Sequence, residues 1–144
     1  MGKIIPVQLR IPAVGIDAPV QGVGVNQKGE MDVPSGTSDN VGWYKYGPVP
    51  GASGSAVIDA HVFAAFAPLK NVRPGDDIYV YMSDGSVRKF VVSDTQVFPL
   101  SSLSPNQLFR KTSRSDLNLI TCAGSPTLGG TNYSHRLIVY STLV

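Results

Sequence analysis

Glycine and proline residues interrupt this sequence at short intervals and so limit the length of any regular element in it. The chain contains fifteen Gly and eleven Pro, spread along its length rather than gathered in one tract. Both residue types are enriched in turns. Between them lie short runs of apolar and β-branched residues, which are typical of strands. The sequence therefore predicts an all-β domain of many short strands.

About eight segments have the alternation or the β-branched content of strands. The strongest signal is a hairpin, in which Asp84-Gly85 separates two runs that are rich in β-branched and aromatic residues. The predicted strands are 7–11, 16–20, 31–33, 55–59, 78–82, 87–98, 117–121 and 137–140. We expect a closed eight-stranded barrel rather than a sandwich, because closure removes unpaired edges from a small domain.

Short helical turns complete the expected fold class, which is all-β with short helices in a single domain over residues 1–144. Residues 22–50 form a long, loop-dominated connection, with a helical turn at 40–43. A second turn is predicted within 63–69. A short helix begins with Ser104 as N-cap and Pro105 at the first helical position.

Composition excludes several classes of function. Charged residues make up 15% of the chain, and the net charge of +2 is scattered, which argues against a nucleic-acid partner. The single cysteine excludes an internal disulfide and any site with several thiolate ligands. No run approaches the roughly 20 apolar residues that span a bilayer, so we expect a soluble chain. Asp76-Asp77 lacks further carboxylates at ligand-like spacing, so we predict no metal and no cofactor.

Three polar residues stand at strand boundaries and together could carry acyl transfer. His61 follows an apolar run, Cys122 immediately follows another, and Arg136 begins the last. A thiolate attacks carbonyls, a histidine can protonate a leaving amine, and a guanidinium can stabilise an oxyanion. Strand ends at one rim would bring these groups together.

Each of the three residues also has a purely structural interpretation. Cys122 could be a small buried hydrophobe, which is the more common role of a lone cysteine. His61 could be satisfied by the backbone. Arg136 could pair with Asp116 or Asp59 at the surface, where an ion pair contributes little.

Longer sequence motifs around these residues resemble one family. Leu119-Ile120-Thr121-Cys122 resembles the Leu-x-Thr-Cys signature of sortases, which attach proteins to bacterial cell walls. Ala56 to His61 resembles the family's strand that ends in the catalytic histidine, and Arg136 to Tyr140 resembles its last strand, led by the catalytic arginine. Further sortase-like segments are 42–44, 47–51 and 69–76. The resemblance covers nearly the whole chain and is greatest to class F.

Two positions depart from the family pattern. Asn118 stands where many sortases have Thr, and Ala60 stands where a Gly usually precedes the histidine. Neither removes a catalytic group, so they bear on subclass and on the floor of the substrate groove. The other histidine, His135, adjoins Arg136 instead of ending the apolar strand, and His61 is therefore preferred as the catalytic one.

The resemblance implies a mechanism and partners. Cys122 would attack the Thr carbonyl of a Leu-Pro-x-Thr-Gly-like sorting signal, Arg136 would hold the oxyanion, and His61 would protonate the departing Gly amine. An amine of a cell-wall precursor or of another protein would resolve the thioester. The resemblance further implies a monomer on the outer face of the cell membrane, anchored by a segment before Met1.

The expected groove lies between the connections 99–115 and 123–135, which lead into and away from the nucleophile strand. A Leu-Pro pair needs an apolar pocket. The predicted substrate-binding residues are Thr121, Val97, Phe98, Leu100, Leu103 and Leu108.

Two other functions compete with this hypothesis. The first is a non-catalytic barrel that binds peptide or carbohydrate, with Cys122 buried and Trp43, Tyr44 and Tyr46 as ligand-facing aromatics. The second is a cysteine protease that transfers the acyl group to water. Native thiol alkylation separates the first from a transpeptidase, and product analysis with and without an amine separates the second.

Overall fold

The computed structural model describes residues 3–24, 39–61, 65–110, 112–126 and 133–144. At residues 100, 105, 106, 122–126 and 133 it describes the backbone alone. The strand predicted at 31–33 lies outside the described residues.

Eight strands form one closed barrel within the described part of the chain, as the sequence predicts. They are β1 (Pro6–Ile11), β2 (Ile16–Val23), β3 (Val41–Tyr44), β4 (Gly54–Asp59), β5 (Asp77–Met82), β6 (Val87–Pro99), β7 (Ser115–Pro126) and β8 (Tyr133–Leu143). Around the barrel they follow the order β1-β2-β3-β4-β7-β8-β6-β5, and β5 pairs with β1.

The pairing is mixed, and its parallel pairs determine where strand ends meet. β2 with β3 and β4 with β7 are parallel, and the other neighbouring pairs are antiparallel. Parallel strands end at the same side of a sheet. The ends of β4 and β7 therefore lie at the same end of the barrel, although they are far apart in sequence.

Alternation along the strands fills the barrel interior with apolar side chains. Ile78, Val80 and Met82 of β5 are buried inside, with the residues between them partly exposed. In β4, Ile58 faces the same core. At about 25 cal/mol per Å² of apolar surface, this burial is the main favourable term in folding.

A second apolar cluster lies on the outer surface of the barrel, over β4, β7 and β8. Its buried members are Val57, Leu108, Ile138 and Tyr140. Residues 103–110, called here the covering segment, lie over this face and contribute Leu103, Leu108 and Phe109. This segment buries part of the outer face of β4, β7 and β8, whose inner face is already buried in the barrel core.

The short helices lie in the connections. One α-helical turn, α1 (Pro105–Leu108), begins at the predicted residue, and the Ser104 N–H donates to Gln107 Oε1 at 2.5 Å in the manner of a capping box. Three 3₁₀ turns are Pro12–Val14, Ala67–Asn71 and Leu100–Ser102. The turn predicted within 63–69 thus begins later, at Ala67, and residues 62–64 are not described.

The helical turn predicted at 40–43 is wrong, because this segment forms β3. Val41 and Trp43 face the barrel core, and Trp43 Nε1 donates to Pro48 O at 3.1 Å. β3 fills the gap between β2 and β4, so pairing with both neighbours overrides the local turn signal. Without it the barrel would not close.

None of the helices among the described residues is both long and apolar enough to cross a membrane.

Candidate active site

Strand register brings the three predicted catalytic positions to one level of the barrel. Cys122 on β7 lies opposite Arg136 on β8, and Arg136 lies opposite Phe98 on β6. On β4, Asp59 is level with Ile120 of β7. His61 follows the end of β4 by two residues, and the same register continued that far would pair it with Cys122. We call His61, Cys122, Arg136 and Phe98 the site row.

Alternation groups positions 122 and 136 of the site row with the outer cluster of the barrel. The row of Ile58, Leu119 and Val139 belongs to the interior core. The positions between them, such as Ile120 and Ile138, belong to the outer cluster. Counting in steps of two residues, positions 122 of β7 and 136 of β8 fall in the same set as Ile120 and Ile138. Neighbouring strands lie about 5 Å apart, so adjacent positions in the row can reach one substrate carbonyl.

The backbone on both sides of His61 is held in place. Ala60 faces the barrel interior at 4% exposure, and its carbonyl accepts a 2.8 Å hydrogen bond from Thr121 Oγ1. The Ala60 N–H donates to Ile120 O at 3.4 Å. After the histidine, the His61 carbonyl accepts from the N–H of the fully buried Phe66 at 3.2 Å. His61 itself is partly exposed at the end of this anchored strand.

Arg136 is half-buried near the start of β8. Its Nη1 donates to the carbonyl of His135 at 3.0 Å, which keeps the guanidinium beside its own strand. Asp116, proposed above as a surface partner, lies opposite Thr142 towards the far end of β8 and pairs with Arg114 at 3.6 Å. Asp116 is therefore remote from the site row.

His135 is in the opposite alternation to Arg136. It lies level with Ala123 and Pro99, and its Nδ1 is 2.6 Å from Ser134 Oγ. His135 is thus paired with Ala123, whereas Cys122 is paired with Arg136.

The predicted substrate-binding residues lie in three different settings. Leu108 belongs to the outer cluster, Phe98 and Leu103 pack against it, and Phe98 is also a member of the site row. Val97 is 55% exposed and lies opposite Leu137, one step out of the row's alternation. The hydroxyl of Thr121 donates to the Ala60 carbonyl, so it contacts the residue that precedes His61. The side chain of Leu100 lies outside the described residues.

Between the covering segment and the site row, the barrel surface is apolar. Ile138 is fully buried and Ile120 is partly exposed, and they lie opposite each other on β8 and β7. Leu103 and Phe98 border this strip. Ile120, Phe98 and Leu103 keep part of their surface exposed, so they, rather than Ile138, are the apolar side chains accessible from outside.

Sequence reasoning named Asp59 as a possible partner of Arg136 and Asn118 as a departure from the family pattern, but it missed that both are buried and that Asn118 and Tyr140 bond to the covering segment. Asp59 is a buried carboxylate, 5% exposed, two residues before His61 in the same alternation. Asn118 and Tyr140, also buried, bond to the covering segment. The sequence does carry a signal for these groups, which is a polar residue within a strand segment whose other residues are apolar. No group of three or more potential metal-ligating side chains occurs within the described ranges.

The comparisons with known proteins decide the family. A family model described as "Sortase domain" matches residues 9–144. The chain belongs to the sortase family. No curated protein matches it at the sequence level.

Solved sortase structures share the fold over nearly the whole chain. A lid mutant of sortase A from Corynebacterium diphtheriae is 22% identical, with a TM-score of 0.75, covering 99% of this chain and 72% of that one. Sortase C-1 from Actinomyces oris is 27% identical, with a TM-score of 0.74 and coverage of 96% and 72%. Group B Streptococcus pilus island 1 sortase C2 is 22% identical, with a TM-score of 0.71 and coverage of 96% and 73%. These similar structures are named sortase A and sortase C, so class F remains a prediction.

Proposed function

We propose that this sortase-family chain is a cysteine transpeptidase with Cys122 as nucleophile, His61 as proton-transfer residue and Arg136 as oxyanion stabiliser. The observation that carries the proposal is the register that makes Cys122 level with Arg136 and, by extension, with His61. These residues come from three strands that are adjacent in the barrel but separated in sequence. Family membership supports the same assignment.

The chemistry proceeds in two acyl transfers. The Cys122 thiolate attacks the Thr carbonyl of the sorting signal, and the tetrahedral oxyanion is held by the Arg136 guanidinium. Imidazolium His61 protonates the departing Gly amine, the C–N bond breaks, and a thioester remains on Cys122. An incoming amine attacks the thioester, neutral His61 accepts its proton, and the thiolate leaves.

The substrate we propose is a Leu-Pro-x-Thr-Gly-like sorting signal cleaved between Thr and Gly. The partly exposed Ile120, Phe98 and Leu103, which pack against the cluster of the buried Ile138, support an apolar Leu-Pro pair near the site row. Leu108, Leu100, Val97 and Thr121 complete the proposed substrate-binding set. The second substrate is an amine of a cell-wall precursor or of another protein.

The biological setting follows from the same proposal. The substrates are surface proteins that bear the sorting signal, and the enzyme works as a monomer at the outer face of the cell membrane. The resemblance of the sequence motifs to class F supports assignment to that class. The proposal requires neither metal nor nucleic acid.

Mass spectrometry of the native protein tests the proposal directly. The chain is incubated with a Leu-Pro-x-Thr-Gly peptide library, and the covalent adduct is read before and after addition of an amine. We expect an adduct on Cys122 that lacks the peptide's Gly and disappears into an amide product when the amine is added. Cys122→Ala should form no adduct.

Two further variants assign the other roles. Arg136→Ala should lower the acylation rate by about 10²–10³-fold, the usual loss for one oxyanion-hole donor. His61→Ala should lower it by about 10²–10⁴-fold, the usual contribution of general acid-base catalysis. Loss of acylation with an unchanged unfolding midpoint would support both assignments.

The same assay separates the competing functions. If no peptide acylates the protein and the native thiol resists alkylation, the chain is a binding module rather than an enzyme. If acylation occurs but the added amine never appears in product, the chain is a cysteine hydrolase.

A further inference from the structure

The backbone of the covering segment is tied to the barrel by three buried side chains. Each donates a hydrogen bond to a carbonyl oxygen at or just after the end of α1, and each comes from a different strand. The pairs are Tyr140 Oη with Gln107 O at 2.6 Å, Asn118 Nδ2 with Leu108 O at 2.6 Å, and Ser55 Oγ with Arg110 O at 2.7 Å. The donors lie on β8, β7 and β4, which are neighbours in the barrel.

These hydrogen bonds satisfy carbonyl groups at a helix end that water would otherwise satisfy. The last carbonyls of an α-helix have no intrahelical partner, and water or capping groups usually satisfy them. Here the donors are 1% exposed for Asn118 and 3% for Tyr140. Arg110 adds a cation–π contact, with its guanidinium carbon 3.6 Å from the centroid of the Tyr140 ring. The covering segment is therefore fixed in direction as well as in position.

Asn118 is a costly residue for its surroundings. Its Oδ1 is buried without a hydrogen-bond partner among the described residues, and the nearby members of the cluster include apolar Val57 and Ile138. An unsatisfied buried acceptor disfavours folding. The hydrogen bond from Asn118 Nδ2 to the Leu108 carbonyl offsets part of this cost. A threonine hydroxyl at this position is one bond shorter and would not reach as far.

The hydrogen bonds from Asn118 and Tyr140 to the covering segment lie four residues along the strands from the site row. Asn118 and Tyr140 are opposite each other, four residues along their strands from Cys122 and Arg136. At about 3.3 Å per residue this separation is roughly 13 Å. The apolar strip of Ile120 and Ile138 occupies the interval. Ile138 is 0% exposed, and Leu103 and Leu108 of the covering segment belong to or pack against its cluster, so the covering segment lies over this interval.

We propose that Asn118 and Tyr140 are positioning residues that hold the covering segment as one wall of the groove, and so set the affinity for the apolar Leu-Pro part of the sorting signal. The inference rests on the proposed function. Neither side chain is assigned a contact with the reacting atoms. Releasing the wall therefore weakens peptide binding and leaves the acyl-transfer step itself unchanged.

The test compares two variants with a matched control. Asn118→Leu removes the donor and the unsatisfied acceptor together, so it is expected to fold. Tyr140→Phe keeps the ring beneath Arg110 and removes the bond to Gln107. Ser141→Ala is the control, because Ser141 Oγ makes an equally short buried bond, 2.6 Å to Leu117 O, that joins β8 to β7 without touching the covering segment.

The readouts are KM and kcat for a Leu-Pro-x-Thr-Gly peptide with an amine, and the native alkylation rate of Cys122 with iodoacetamide. We expect KM to rise about fivefold in each variant, the loss typical of one hydrogen bond, with kcat within about twofold. The double variant should raise KM by less than the product of the two, because both bonds hold one segment. Alkylation of Cys122 should be unchanged, since a small reagent does not need the wall.

Hydrogen exchange should show the physical cause. In both variants, amides of the covering segment should exchange faster than in the unmodified chain, while those of β7 and β8 keep their rates. Ser141→Ala should leave both KM and exchange in the covering segment unchanged.

Each outcome decides one point. Turnover with unchanged KM in both variants overturns the inference and leaves the proposed function standing. An equal rise of KM in Ser141→Ala shows a general loss of packing and also overturns the inference. Absence of any turnover by the unmodified chain overturns the proposed function, and the inference with it.

Discussion

One buried hydroxyl joins β7, which carries Cys122, to the chain that follows β4 and leads to His61. Thr121 precedes Cys122, and its Oγ1 bonds to the carbonyl of Ala60, which precedes His61. Because both residues are about 4% exposed, water cannot replace this bond easily. Thr121 can therefore align the backbone next to His61 with the backbone next to Cys122.

Replacing Thr121 tests this alignment. Thr121→Val keeps the side-chain shape but leaves the Ala60 carbonyl without its donor, so we expect a loss of about 1–3 kcal/mol in the free energy of unfolding. Turnover, corrected for the folded fraction, should also fall, because the backbone before His61 is released. Urea unfolding and peptide kinetics measure both effects. Thr121→Ser, which keeps the hydroxyl, should be close to the unmodified chain in both, and a serine variant as impaired as the valine variant would contradict the role of the bond.

At the scale of residues, the sequence predicts which residues lie at strand ends better than it predicts hydrogen bonds between distant segments. His61 and Arg136 adjoin clear apolar runs, so their strand-boundary positions can be deduced from the pattern. The bond from Asn118 to Leu108 depends on the path of a covering segment that has little regular structure of its own. No periodicity in the sequence encodes that path.

At the scale of elements, the hairpin between β5 and β6 shows local sequence determining local structure. The Met82 N–H donates to Ser86 O at 2.8 Å, and Gly85 takes the left-handed conformation, with φ +87°. The Ser86 hydroxyl and N–H both donate to Asp84 Oδ1, and these bonds lower the pKa of the Asp84 carboxyl below its ordinary value.

Ser86→Ala should raise the pKa of Asp84 toward its ordinary value, because the side-chain hydrogen bond is the largest cause of the lowering. A lowered carboxyl pKa stabilises the fold at pH values above the unfolded-state pKa. That stabilisation disappears as pH falls through the folded-state pKa. NMR titration of the Asp84 carboxyl measures the shift. Ser83→Ala is the control, since the Ser83 hydroxyl accepts from the Ile5 N–H instead, and equal titration of Asp84 in both variants would contradict the assignment.

Gly54, at the start of β4, combines a strained backbone angle with a close neighbour. Its φ is +106°, and a Cβ there would lie 3.0 Å from Pro48 Cγ. Gly75 has a similar φ of +96° but open space around it. Both N–H groups are bonded, to Arg114 O and Val92 O respectively. The pair therefore separates backbone strain from steric contact.

We expect Gly75→Ala to lower the free energy of unfolding by about 1–3 kcal/mol through the backbone alone. Gly54→Ala should lower the free energy of unfolding by about 1–3 kcal/mol more than Gly75→Ala, because the Pro48 ring must also move. Chemical denaturation of the two variants gives the difference. Equal losses would show that Pro48 yields without cost.

Element types follow from the sequence except where pairing decides them. The segment 40–43 has turn-forming neighbours and too few residues for a clear period of two, so local reasoning favoured a helical turn. In the barrel it becomes β3 because β2 and β4 leave unpaired edges on either side. The barrel architecture was predictable, since the number of strand signals and the small domain size favour closure.

At the scale of the whole molecule, strand order creates the site. β4 and β7 are separated by β5 and β6 in sequence but pair in parallel in the barrel. This crossover aligns the chain near His61 with that near Cys122. The sequence pattern predicted the strands and suggested a shared rim from the strand-boundary positions, but it contained no information on strand order.

Barrel closure is uneven, and this should appear in hydrogen exchange. β7 and β8 pair from Asp116–Thr142 to Pro126–Tyr133, whereas β3 and β4 are joined at Gly42–Asp59 and Trp43–Ile58. Local opening follows the weakest pairing, so amides of β3 should exchange about tenfold or more faster than those in 117–121. Trp43→Phe removes the bond from Nε1 to Pro48 O and should speed exchange in β3 while leaving β7 unchanged. Equal protection of β3 and β7 would instead mean that the barrel opens only by global unfolding, with the β3–β4 seam as strong as the strands that carry the site.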